Sequence, residues 1–461
     1  MADTDHTAQL AAFASSEPAF PADVAHEAKR MLLDQFACQI ACAPLPWSEN
    51  YRAAVQSLGS GAGATSVYFG DALAVDDAAF LNGAFGHGNE FDDSHVRSTT
   101  HLGAVIVPAV LAMAENRHVS GRTLLDGLVA GSEVMIRVTV AASPHLHDRG
   151  HHTPPAAGPF GAAAGCSRVL GLDPVQTENA LAISGSHAGG LLEYNRSGGS
   201  VKRIHCGIPA MWGVRSTLMA QHGITGPTHV LEGERGFLAV FAGKYDAELL
   251  TGKLADHYYF REMSYKPMAC NFSTHAPLQA LGELREEYGL TLDNVAEITV
   301  GTSRHTIDHV GNIVEPPDIL GAQFSLRFGC AVRIINGGNG FYDYHDEDLR
   351  DPRFVGLAKR VKLEVDEICN TERLTLNNRS GVVTVKTTDG RTVQRRVQYS
   401  KGLYENPLSD GELTQKFFDA VIPRVGEEAA KRLAERVWTV DDLADAADLL
   451  PMTFPRSAVP A

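Results

Sequence analysis

The chain has 461 residues, 44% hydrophobic and 21% charged, and its 40 Lys and Arg against 55 Asp and Glu give a net charge of −15. That composition suits a globular protein with large cores and excludes disorder for most of the chain. The acidic balance argues against nucleic acid, and the most apolar run, residues 103–114, is short of the roughly 20 residues that span a bilayer.

The N-terminal MADTDHTAQL has two early Asp residues and no basic stretch, so a secretory signal is not expected. Residues 22–43 place Val24, Ala28, Met31, Leu32, Phe36 and Ile40 at helical spacing. Residues 104–115 and 122–141 continue the pattern. Asp173, Pro174 and Gln176 form the start of a helix with a capping box. A helix is predicted over 208–222, with Gly223 as its stop. Few stretches before about residue 290 alternate in the manner of strands.

Beyond that point the pattern changes. Residues 297–302 read as a strand, and 382–387 with 392–397 flank an Asp389-Gly390 turn, a hairpin signal. Residues 318–336 look helical, and helix returns from 410 to about 449. The last residues, FPRSAVPA, read as a frayed tail. The fold class is therefore mainly α, with an α+β segment set inside a helical chain. No repeat and no low-complexity tract is present.

Two glycine clusters carry little. Gly59–Gly63 lacks the phosphate-loop pattern, and Gly185–Gly189 has His187 where a nucleophile elbow needs serine. The seven cysteines include no C-x-x-C pair, which reads as reduced thiols in a cytoplasmic protein without a structural zinc. The segment 87–95 is different, with Glu90, Asp92, Asp93 and the imidazoles of His87 and His95 in nine residues. Glu90 and Ser94 stand four apart and would share a face if the segment were helical. A metal site is conceivable from these ligand types, yet the spacing matches neither an EF-hand nor H-E-x-x-H. Three further polar segments, 148–155, 197–205 and 265–275, also lead into predicted helices. Free amides at helix N-termini favour anions, so four such entries carrying His, Lys and Arg suit a carboxylate-bearing ligand.

At these segments the chain resembles the MmgE/PrpD family, which includes 2-methylcitrate dehydratase, cis-aconitate decarboxylase and iminodisuccinate epimerase. The resemblance runs from about residue 8 to about 445. It is carried by Gly88–His95, His101–Ala109, Gly150–Pro154, Gly158–Ala162, Val201–Gly207, Gly223–Pro227, Leu231–Gly233, Lys266-Pro267, Thr274-His275 and Phe324–Leu326, all in order. It implies a helical domain built from both chain ends (1–265 and 401–461), an inserted α+β lid (266–400), a homodimer, no cofactor, no metal, and an active site between domain and lid. Three departures from the family pattern stand out. Glu90 and Ser94 replace Asp and Thr, the loop to His101 is one residue longer than in the decarboxylases, and Phe328 stands where they tend to have tyrosine.

The shared chemistry of that family is proton movement at a carbon next to a carboxylate. On this resemblance His101 and His152 are the expected acid and base, because imidazole titrates nearest neutral pH. Glu90 and Asp93 would orient them. Lys202, Arg203 and His275 would bind carboxylates, and Ser94 a carboxylate or hydroxyl. The expected activity is a cofactor-independent lyase on a small di- or tricarboxylate, most of all a 2-methylcitrate dehydratase-like hydro-lyase. Decarboxylation of cis-aconitate, epimerisation of iminodisuccinate, and a non-catalytic binding or scaffold role remain alternatives.

Overall fold

A computed structural model describes residues 5–16, 20–59, 61–194 and 198–455. Residues 1–4, Ser60, Ser197 and the end of the tail from 456, all read from the sequence above, lie outside these. The chain is mainly α and divides into two units. The first comprises Met1–Gly88, Asp92–Met263 and Asp410–Ala461; the second comprises Asn89–Phe91 and Ser264–Ser409. No helix among the described residues is long and apolar enough to cross a membrane.

The first unit is built of helices, with one two-residue pair of strands, β1 (Ala64–Thr65) and β2 (Ala72–Leu73). Its predicted helices form as Ala22–Cys42, Gly103–Arg117, Gly121–Ala142, Pro174–Ser184 and Gly207–Gln221. Asp173 accepts from the Gln176 amide at 2.8 Å, and the Gln176 side chain accepts from the Asp173 amide, which completes the capping box. Small residues set how closely these helices approach. A Cβ on Gly131 would lie 2.7 Å from the Gly161 carbonyl oxygen, and one on Gly165 would lie 2.7 Å from that of Gly127. The Gly121–Ala142 and Thr153–Leu170 helices therefore meet backbone to backbone. Gly207 is tighter still, since its Cβ would stand 2.2 Å from the Phe80 carbonyl oxygen in the helix Val75–Gly86. These contacts fix three ends: the C-terminus that leads into His87, the N-terminus that follows His152, and the N-terminus that follows Lys202–His205.

In the first unit's C-terminal part, the predicted 410–449 helix is several pieces: Asp410–Val425, Glu427–Trp438 and the short turns Val440–Asp442 and Ala446–Thr453. Gly426, at φ 86°, breaks the first from the second. Lys416 of the first piece reaches the buried Asp34 carboxylate on Ala22–Cys42, so the chain's C-terminal helix is tied to an N-terminal one by an ion pair.

The second unit holds a four-stranded sheet in the order β4-β3-β5-β6. These strands are β3 (Val295–Thr302), β4 (Val361–Val365), β5 (Gly381–Thr387) and β6 (Thr392–Val397). The hairpin β5–β6 is antiparallel with Val385 opposite Val393, and Gly390 takes φ 89° in its turn. Strand β4, not anticipated from the sequence, lies parallel to β3 with Ile298 opposite Val361. Val295, Ile298, Val300, Val361, Val383, Val385 and Val397 are buried in one core with Leu278, Leu281 and Leu284 of the helix His275–Tyr288 and Leu326, Phe328 and Val332 of the helix Leu326–Ile335.

The predicted helix over 318–336 is two, Ile319–Gln323 and Leu326–Ile335. Asp318 caps the first, and Ser325 turns out of helical geometry to accept from the Phe328 amide at the start of the second. A serine that bonds to the backbone ahead of it competes with the helix and starts a new one. Phe328 is 1% exposed and stacks on Phe354 at 5.9 Å. The Phe328 ring is thus packing inside the unit's core. All seven cysteines are buried.

Candidate functional site

The segment 87–95 is not helical. Glu90 adopts φ 49°, the left-handed region that a side chain enters at a cost. Glu90 and Ser94 therefore do not share a helix face, which corrects the expectation from their spacing. Instead the segment is an irregular turn whose polar groups are almost all buried: His87, Asn89, Glu90, Asp92, Asp93, Ser94 and His95.

Within the first unit this turn is organised by two adjacent carboxylates with different tasks. Asp93 is fully buried and accepts from the Leu102 and Gly103 amides at 3.0 Å and from the Gln35 side chain at 3.0 Å. It thereby satisfies the free amides that open the Gly103–Arg117 helix, where a negative charge also meets the helix dipole. That N-terminus is closed by the chain's own carboxylate and is no vacant anion site, a correction to one of the four polar entries. Burial, with the charges of Asp34 and Asp92 close by, pushes the Asp93 carboxyl up.

Asp92 is the carboxylate that serves the imidazoles. Its Oδ2 stands 2.7 Å from His87 Nδ1 and 3.1 Å from His101 Nδ1. His101 Nδ1 also lies 2.7 Å from the Asp93 carbonyl oxygen. Both nitrogens face acceptors, so both carry a proton, and Nε2 of each ring is the nitrogen left to exchange one. His87 Nε2 is buried without a hydrogen-bond partner among the described residues. His101 keeps 17% of its side chain exposed, whereas His87 is fully enclosed. Burial and the nearby Lys202 ammonium hold the His87 imidazole down to about 3, against the pull of Asp92.

His152 joins the same group. It is the residue before the helix Thr153–Leu170, and its amide donates to the Gly190 carbonyl. Its ring lies 5.9 Å from that of His87 and 5.1 Å from that of His205, while the rings of His87 and His101 are 4.9 Å apart. His152 Nδ1 and His205 Nδ1 are 2.9 Å apart. Burial, and then the neighbouring imidazoles, hold His152 well below the usual range, and burial with Lys202 holds His205 down to about 4. Tyr194 places its ring edge-on to both, at 5.4 and 5.5 Å. Four imidazoles, one carboxylate and the buried Lys202 thus form one group.

Of the other sequence candidates in this unit, Arg203 is engaged in structure. Its Nε donates to the Gly88 carbonyl at 3.1 Å, and its guanidinium lies 3.7 Å over the Trp47 ring. It holds the turn that presents His87. Ser94 is buried beside Asp93. His95 bonds Ser98 at 2.7 Å and faces Glu262.

Glu90 and His275 belong to the second unit. Glu90 Oε2 stands 3.3 Å from Lys266 Nζ, and both side chains are buried. The turn on which Glu90 sits is held by Gln323, which donates to the Asn89 side-chain oxygen at 2.9 Å. His275 opens the helix His275–Tyr288, fully buried, with Nε2 3.2 Å from the Cys270 carbonyl and its ring against Phe272.

The sequence reading passed over His87, Asp92, His205 and Lys266. Their signal is present in the sequence: each lies in one of the four polar segments, and Asp92 immediately adjoins Asp93. What the sequence did not carry was which polar residue of each segment would be buried. As for a metal, His87, Asp92 and His101 offer three ligand atoms within 4.8 Å of one another. In this structure the Asp92 carboxylate is engaged with Nδ1 of both imidazoles.

The MmgE/PrpD N-terminal domain model matches residues 8–250 and the MmgE/PrpD C-terminal domain model matches residues 268–442. The chain belongs to the MmgE/PrpD family. It is 29% identical to a cis-aconitate decarboxylase-like protein of Aspergillus oryzae, over 94% of this chain and 93% of that one. It is 28% identical to a cis-aconitate decarboxylase of Aspergillus terreus, over 94% and 92%. A human cis-aconitate decarboxylase is 26% identical over 80% of this chain and 77% of its own.

Proposed function

We propose that this protein is a cofactor-independent lyase acting on a small di- or tricarboxylate, with decarboxylation of cis-aconitate or a near analogue as its reaction. The reading is carried by the grouping of His87, His101, His152 and His205 around Asp92 and Lys202. It is supported by relatives named for that decarboxylation along nearly the whole chain. When a carboxylate leaves as CO2, its bonding electron pair stays on carbon and is shared with a remaining carboxylate. One proton must then be delivered to carbon, and cationic groups must hold the negative charge. Lys202 is the buried cation of the group. His101, partly open and anchored by Asp92 and the Asp93 carbonyl, is the proton donor in this scheme.

One observation favours dehydration as a second reading. His87, His152 and His205 are all held neutral near pH 7, and a neutral imidazole is a base. In a hydro-lyase one of them takes the proton from carbon while a second group protonates the departing hydroxyl. Proton NMR in deuterated buffer with a chelator present separates the two. Purified protein is given cis-aconitate, citrate, 2-methylcitrate and iminodisuccinate in turn. Loss of CO2 with deuterium at the new C–H supports the first reading, and a new alkene from a hydroxy acid supports the second. No change with any of the four contradicts both and leaves a non-catalytic role.

A further inference from the structure

The contact between His152 and His205 is chemically restrictive. Two Nδ1 atoms at 2.9 Å form a hydrogen bond only if one carries a proton and the other offers a lone pair. The tautomers of the two rings are therefore complementary. His152 Nδ1 is spent on this bond, so Nε2 is the one ring nitrogen left to meet a substrate. For Nε2 to act as a base, His152 must be protonated at Nδ1 and donate, and His205 must accept at Nδ1. The same direction holds after His152 has taken a proton, because an imidazolium can only donate.

We infer that His205 is a positioning residue that fixes the tautomer of His152 and so keeps its Nε2 available for proton transfer. This rests on the proposed reaction at a carbon next to a carboxylate. His205 does the work that an aspartate does behind other catalytic histidines, with one difference. A carboxylate in that place would stabilise the imidazolium and raise the basicity of His152. A neutral imidazole orients the ring without doing so. The groups that face the pair are consistent with a neutral state. His87, His101 and His147 act on His152, Lys202 acts on His205, and Tyr194 covers both rings; the neighbouring charges all oppose protonation of the pair. His205 itself is placed by the tight approach of the helix that starts at Gly207, two residues on.

Two measurements test this. The first needs no substrate: nitrogen-15 NMR of histidine-labelled protein at about pH 7.5, with the His152 signals assigned from His152→Gln. The native protein shows His152 as the single tautomer protonated at Nδ1, and His205→Ala turns it into a mixture. An unchanged tautomer in His205→Ala overturns the inference. The second is kinetic. His205→Ala lowers kcat about 30-fold with KM within about twofold, less than the loss of a charged partner would cause because neutral bonds are weaker. His205→Asn, whose side-chain oxygen takes the place of the accepting Nδ1, recovers most of the loss. His205→Asp moves the acid limb of the kcat/KM profile up by about one pH unit. Equal losses in all three variants with an unmoved limb would mean a merely structural role and overturn it. Should the native protein act on none of the polycarboxylates, the proposed function fails, and the NMR result alone decides the pairing.

Discussion

Acid should destabilise this protein through its buried imidazoles. His87 is fully enclosed and held down to about 3 in the fold, whereas an unfolded histidine titrates near 6.5. Below about pH 6.5 the unfolded chain binds a proton that the folded chain refuses. Stability therefore falls as pH drops from about 6.5 toward 3, with a slope of about 1.4 kcal/mol per pH unit for one such group. Between about pH 7.5 and 5.0 His87 alone contributes a loss of about 2 kcal/mol, and His205, held at about 4, contributes about as much. Because the neutral Nδ1–H of His87 donates to Asp92, His87→Asn keeps a donor there and cannot titrate. Urea denaturation of native and His87→Asn protein at the two pH values gives the difference directly. The variant should lose about 2 kcal/mol less on acidification. An identical loss in both proteins would refute the claim that His87 is buried in its neutral form.

The helix approaches are open to test by thermal melting. Gly207→Ala would place a Cβ 2.2 Å from the Phe80 carbonyl oxygen, so backbone must shift, and a loss of about 1–3 kcal/mol is expected. Lys416→Met leaves the buried Asp34 carboxylate without its ion-pair partner and should cost about 3–5 kcal/mol by denaturant titration, with the Asp34→Leu/Lys416→Met pair less affected. For turnover, His101→Gln and His152→Gln each lose at least about 100-fold in kcat/KM on the best substrate found, the usual size of an acid–base contribution. Dialysis against a chelator leaves turnover unchanged, since Asp92 bonds His87 and His101 through protons; loss of activity restored by zinc would contradict that assignment.

Much of the fold is legible from periodicity and turn chemistry, because local rules decided those elements. The Asp173–Gln176 capping box and the Asp389-Gly390 hairpin are set by neighbours within four residues. Strand β4 escaped because Lys362 and Glu364 alternate with only three apolar residues, and its partner β3 is some sixty residues away. The helical reading of 318–336 did not show the break at Ser325, where a hydroxyl bond to the backbone starts a second helix. At the site, the polar segments were visible, but the division of labour was not. Asp93 and Asp92 are adjacent and chemically identical, yet one closes a helix and the other serves two imidazoles. The pairing of His152 with His205 depends on helix ends brought together by glycines far apart in the sequence.

The proposed function comes down to proton transfer to carbon by this imidazole group. The most direct measurement follows carbon-13-labelled cis-aconitate in deuterated buffer, with native protein and with His152→Gln and His101→Gln. The account predicts labelled CO2 and a product carrying one deuterium from the native protein, and at least about a hundredfold slower release from both variants. Release at native rates by both variants, or no release from folded native protein, would contradict it.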